Sequence, residues 1–147
     1  MVKSVKLYFA YGMNTNKEEM AYRCPSAVPI GKAILPDYRF EFKSFATIVP
    51  SPGNKVEGVL WEISKTDELA LDMLEGYPEF YDKRSVNIKQ DVDHIAMTYI
   101  MDPREKTYGP SDSYYSMVSQ GYQQFGLSQQ QLLEARSRSI KETWIYE

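Results

Sequence analysis

The sequence predicts a single domain of mixed α+β class, with strands filling the first two thirds and helices mainly at the end. Three observations lead there. Through Met101 the chain runs in short stretches rich in Val, Ile, Phe and Tyr, separated by Pro, Gly, Asn and Asp. After that it lengthens into two segments of helical length and spacing. With 147 residues it is long enough to bury a core without disulfides or metals, and no repeat, low-complexity tract or linker divides residues 1–147.

The elements follow in order. Val5 to Tyr11 reads as the first strand, stopping at Gly12 and Asn14, two residue types that readily take positive φ. Such a break turns successive backbone N–H groups toward one point, although an ordinary turn after a buried strand has the same look. Asn14 is placed to cap a short helix through Arg23, with Glu18 and Glu19 in its first turns, and Pro25-Ser26 ends it. Strands are expected over Ile30–Leu35, Tyr38–Phe42 and Ala46–Val49, broken by Pro36-Asp37 and by the turn-like Pro50-Ser51-Pro52-Gly53-Asn54. Lys55 to Ile63 alternates as a strand, and Gly58 within it marks a bulge or a close backbone approach.

Ser64 opens the next helix as N-cap, with Asp67 and Glu68 following. Leu69, Ala70, Met73 and Leu74 form its apolar stripe, and Gly76 ends it. Arg84–Lys89 and His94–Met101 are two further strands, joined by a hairpin around Asp91-Val92-Asp93-His94. Asp112–Phe125 and Ser128–Thr143 read as helices.

Composition narrows the function. A net charge of −3 and a pI near 5.3 argue against nucleic acid as the main partner, and no basic run suits an anionic membrane surface. No stretch is apolar enough to span a bilayer and no signal-peptide pattern opens the chain, so a cytoplasmic location is the default expectation. One Cys and one His cannot assemble a His/Cys zinc site, the acidic Asp91–His94 segment reads as a solvated turn, and no metal is expected. Cys24 has no activating His nearby and reads as structural. Arg39 and Glu41, alternating with Tyr38, Phe40 and Phe42, are expected to face water. Oligomeric state has no signature in the sequence.

Taken alone, Glu75 reads as an exposed polar residue on a last helical turn. Its place does carry a physical hint. A carboxylate at a helix C-terminus faces the negative end of the dipole, and Leu71, Leu74 and Tyr77 nearby add desolvation. Both effects raise its pKa toward the range useful for an acid and base at neutral pH.

Tyr11-Gly12-x-Asn14 followed by Leu71-Asp72-x-x-Glu75-Gly76 resembles the γ-glutamylcyclotransferase-like family, also called AIG2-like or butirosin-biosynthesis-G-like. Val56-Glu57-Gly58-Val59-Leu60-Trp61, Tyr81 with Val86, and Pro110-Ser111-x-x-Tyr114 with Gly121 extend the likeness from Leu7 to about Leu133. The resemblance implies a small bent or closed β-barrel flanked by helices. It implies Glu75 as the catalytic acid/base and Tyr11, Gly12, Met13, Asn14 and Tyr114 as substrate-binding residues, without cofactor. The implied substrate is a small γ-glutamyl amide, cyclised to 5-oxoproline with release of an amine or amino acid. Many members have Ser where this chain has Met13, a departure that alters substrate preference if the loop acts through backbone N–H groups and removes turnover if the hydroxyl is required. The alternatives are a member that binds such ligands without turning them over and, less favoured, a module binding protein through an aromatic surface.

Overall fold

The computed structural model describes residues 5–146, with side chains described for 5–140. Its strands are β1 (Val5–Ala10), β2 (Val28–Lys43), β3 (Phe45–Ser64), β4 (Tyr81–Lys89) and β5 (Asp93–Met101). They close into a barrel in the order β1-β3-β2-β4-β5. All sequential pairings are antiparallel, and a parallel pairing of Tyr8 with Met97 completes the closure between β1 and β5. The helices are α1 (Lys17–Arg23), α2 (Lys65–Glu75), α3 (Asp112–Phe125) and α4 (Gln129–Tyr146), and a 3-10 turn, Met13–Thr15, follows β1. A barrel flanked by helices is the architecture that the family resemblance implies.

The strands expected between Ile30 and Ile63 are not separate. They are two long strands, because bulges absorb the residues expected to break them. Tyr38 pairs with Pro50 and Pro36 with Lys55, so 51–54 bulge out opposite Asp37 alone. Asp37 takes a φ of 66° and its carboxylate accepts the Gly53 N–H at 3.0 Å. The prolines sit at irregularities, where a missing N–H does not interrupt a ladder. Five strands closing so tightly must also bend, and bulges supply that bend. The β2–β3 turn is tight: Lys43 pairs with Phe45 around Ser44, whose φ is 65°.

Gly58 marks a close approach, as its position within the strand suggests. A Cβ there would lie 2.4 Å from the Ala10 carbonyl oxygen and 2.6 Å from the Phe9 ring. Around it Val59, Leu60 and Trp61 are all buried, so alternation of buried and exposed residues is lost. One face lies inside the barrel and the other under α3, where Trp61 meets Phe125 edge-on at 5.9 Å. Phe9, Leu35, Phe40, Phe42, Ile48 and Leu60 belong to the buried core.

Helix α2 begins and ends as its sequence predicts. Ser64 and Asp67 form a reciprocal capping box, and Gly76 adopts the left-handed conformation at φ 65°. Its apolar stripe is a different matter. Leu69, Met73 and Leu74 are exposed, while Leu71 is fully buried. Polar bonds seat the helix instead: Ser26 Oγ donates to Asp67 (2.8 Å), Tyr99 Oη to Asp72 (2.6 Å) and Lys83 Nζ to Glu68 (2.8 Å).

Elsewhere the reading holds closely. Ser111 caps α3, Gly126 ends it in the left-handed region, and α4 starts one residue after Ser128. Residues 90–92 make the β4–β5 connection, with Asp93 and His94 already in β5. Arg39 is exposed as expected, but Glu41, with which it pairs, has a side chain only 15% exposed and does not face water freely. Cys24 is buried, and burial pushes its thiol up to about 12. Among the described residues, no helix is long and apolar enough to cross a membrane.

Candidate active site

The segment after β1 forms one wall of a cavity of about 250 Å³ at the end of the barrel. Gly12 does not have positive φ; its φ is −114°. It is glycine for want of space, because a Cβ would lie 2.8 Å from the Ala46 Cβ and 3.4 Å from the Tyr114 hydroxyl. Nor does Asn14 cap α1. That task falls to Asn16, whose side chain accepts from the N–H groups of Glu18 (3.1 Å) and Glu19 (3.2 Å). The Thr15 and Asn16 N–H groups close the 3-10 turn onto Gly12 (3.1 Å) and Met13 (3.0 Å). Those of Met13 and Asn14 begin the turn and have no acceptor within it.

Released from capping, Asn14 is buried against the cavity and holds three groups together. Its amide nitrogen donates to the Tyr8 hydroxyl at 3.0 Å and to the Glu75 carboxylate at 3.3 Å. Its amide oxygen accepts from Arg23 at 2.6 Å. Arg23, on the last turn of α1, also pairs with Glu19 at 3.4 Å. Glu75 reaches the cavity from the last turn of α2 and is half-buried. Removal from water pushes its carboxyl up from 4.5 to about 7, against the opposing pull of Arg23 and of the Asn14 hydrogen bond. The apolar surroundings are the aromatic walls and Leu74; Leu71 and Tyr77, expected nearby from the sequence, do not line the cavity.

Five tyrosines make up much of the remaining wall, namely Tyr8, Tyr11, Tyr81, Tyr99 and Tyr114. Burial raises the pKa of each, that of Tyr114 to about 12, so all five are neutral hydroxyls at physiological pH. Tyr11 donates to the Tyr99 carbonyl and Tyr81 to the Ala46 carbonyl at 2.7 Å, while Tyr114 accepts from the Ala46 N–H at 3.0 Å. Glu75 is thus the cavity group poised to exchange a proton near neutral pH.

The residues selected from the sequence, Tyr11, Gly12, Met13, Asn14, Glu75 and Tyr114, all line this one cavity. Residues that sequence reasoning did not place there are Tyr8, Arg23, Phe45, Ala46, Phe80 and Tyr99. Tyr81 entered only as a point of likeness. The richness in Tyr, twelve residues of 147, was the available signal for a ring-walled, partly polar pocket, but it suits strands equally. Among the described residues no three His, Cys, Asp or Glu side chains gather to hold a metal ion.

Comparison with known proteins gives this site a context. Residues 8–117 match the family model described as gamma-glutamyl cyclotransferase, AIG2-like. The gamma-glutamylcyclotransferase of Mus musculus is 32% identical over 139 residues, covering 84% of this chain and 73% of its own. That of Homo sapiens is 31% identical over 136 residues, covering 82% and 72%. A solved structure of a gamma-glutamyl cyclotransferase superposes with a TM-score of 0.79 at 28% identity, covering 92% of this chain and 86% of its own. The chain belongs to the gamma-glutamyl cyclotransferase, AIG2-like family, and is an enzyme of the cyclotransferase type.

Proposed function

We propose that this protein cyclises the γ-glutamyl group of a small γ-glutamyl amide, with Glu75 as the group that takes and returns the proton. The observation that carries the reading is the half-buried Glu75 carboxyl, held by Asn14 in an aromatic cavity and raised to about 7. A γ-glutamyl amide carries its own nucleophile, the α-amino group, at five-membered-ring distance from the γ-carbonyl. Glu75, ionised, removes a proton from the α-ammonium. The amine nitrogen then attacks the γ-carbonyl carbon, whose π electrons move to oxygen. As the tetrahedral intermediate collapses, Glu75 delivers its proton to the departing nitrogen and the amide C–N bond breaks. The ring nitrogen gives its second proton to the re-ionised Glu75, which passes it to the released amine. The products are 5-oxoproline and a free amine or amino acid, with no covalent bond to the enzyme.

The rest of the site serves this sequence. The Met13 and Asn14 N–H groups, unused within their turn, supply donors for the developing oxyanion. Arg23 supplies positive charge for the substrate α-carboxylate while it fixes Asn14. The ring walls select folded conformers of the γ-glutamyl chain, which is how proximity contributes. Met13 presents a half-buried thioether at the cavity wall, so this step draws on backbone donors rather than a side-chain hydroxyl at that position.

The test is 5-oxoproline release from a panel of γ-glutamyl dipeptides and γ-glutamylamines, with wild type beside Glu75→Gln. Glu75→Gln is expected to lose about 10²- to 10⁴-fold in kcat, as for other general acid–base residues, while still binding substrate. In the wild type kcat/KM should rise with pH through an apparent pKa near 7, because the base must be ionised. Undiminished turnover in Glu75→Gln overturns the assignment.

A further inference from the structure

We infer that the cavity mouth is a leaving-group subsite for bulky apolar or aromatic amino acids, an inference that rests on the proposed cyclisation. The charged end of a γ-glutamyl substrate belongs inside, where Glu75, Arg23 and Asn14 lie. The departing nitrogen must stay within reach of Glu75, so whatever it carries leaves through the opening beside that residue.

The side chains lining the cavity that remain most open to water are Leu74 (47% exposed), Phe45 (46%) and Phe80 (40%). None of the three carries a charge. The two Phe rings meet edge-on at 6.3 Å, and each is backed by a cavity tyrosine: Phe45 by Tyr114 at 5.3 Å, Phe80 by Tyr81 at 5.1 Å. The tight turn at Ser44 and the bend after Gly76 thus deliver two aromatic faces, fixed by packing yet still wet. A ring or branched chain resting there removes further apolar area from water and adds edge-to-face contacts.

Phe45 and Phe80 also line a second, open groove of about 750 Å³, so the lip borders free space on its outer side. That groove carries charges of both signs: Arg104 pairs with Asp102 at 2.7 Å, Lys43 Nζ donates to the Pro103 carbonyl at 3.1 Å, and Glu105 and Lys106 add one charge of each sign. The mixture gives a leaving group of either charge less to gain there than an apolar one gains at the Phe45–Phe80 lip.

The experiment compares γ-glutamyl-phenylalanine and γ-glutamyl-leucine with γ-glutamyl-alanine and γ-glutamyl-ε-lysine. Wild type should favour the first pair by about tenfold in kcat/KM, the effect of burying part of one large side chain. Phe45→Ala and Phe80→Ala should each draw that ratio toward one. A wild-type ratio at or below one overturns the subsite while leaving the cyclisation standing. Binding to the Glu75→Gln protein, measured by calorimetry, separates the two ideas if no compound is turned over. Tighter binding of the phenylalanine than of the alanine compound then keeps the subsite and rejects the chemistry. Equal binding, or none, rejects the subsite.

Discussion

Arg23, Asn14 and Glu75 form a relay in which a cation fixes an amide and the amide addresses a carboxylate. Arg23 therefore acts on Glu75 twice, by its field and through the orientation of Asn14. Its charge favours the ionised carboxylate, so its removal should raise the Glu75 pKa above about 7. In Arg23→Met the acid limb of kcat/KM should move to higher pH, with a smaller displacement in Arg23→Lys, which keeps charge but loses the planar fork. A limb unmoved in Arg23→Met would show that the guanidinium does not set the state of Glu75. Glu75 and Asn14 were legible because motif and spacing single them out, whereas Arg23 was not. A cation on a last helical turn complements the helix dipole on countless surfaces, and only the fold brings this one beside an amide nine residues earlier.

At the scale of elements, the termini of α2 were readable, while the cap of α1 and the apolar faces were not. Ser64 and Gly76 act through local backbone bonds that sequence encodes directly. The stripe Leu69-Met73-Leu74 misled because periodicity reports a possible apolar face, and α2 is seated by Leu71 and by Asp67, Glu68 and Asp72 instead. The prolines of β2 and β3 misled for a related reason: whether a Pro breaks a strand or sits in a bulge depends on the neighbouring strand. Gly121 of helix α3 shows how a residue can tune the site without lining the cavity. A Cβ on Gly121 would fall 2.3 Å from Thr15 Oγ1 and 2.7 Å from the Asn16 nitrogen, against the turn that carries Asn14. Alanine gains about 1 kcal/mol in helix propensity over glycine but meets an overpacking cost of about 1–3 kcal/mol. Gly121→Ala should therefore lower Tm and reduce kcat/KM together. Ser116→Ala, at an exposed position of the same helix, should do neither. An unchanged Tm and activity in Gly121→Ala would mean that α3 does not brace the turn.

The site also leaves a mark on the molecule as a whole, through its pH dependence. The Glu75 carboxyl binds its proton more tightly folded than unfolded, at about 7 against 4.5. Between those values folding takes up a proton, so this contribution to stability is complete below the lower value and is lost as pH rises through the upper one. Glu75→Gln carries no such proton. It should melt above wild type at pH 8, by about 2 kcal/mol of stability after allowing for partial exposure, with the gap closing toward pH 5. A gap independent of pH would show that burial does not strain this carboxyl. Barrel closure was implied by family likeness and not by alternation, since β3 is covered on both faces where it passes β1 and α3. That closure has a mechanical meaning. β1 is clasped by β3 along its length and by β5 at Tyr8, so the segment leaving Ala10 is a short cantilever set in a rigid wall. The accuracy with which Asn14 points at Glu75 is then a property of the anchorage rather than of the loop, and small errors in aim are corrected by the stiffness of the whole cylinder.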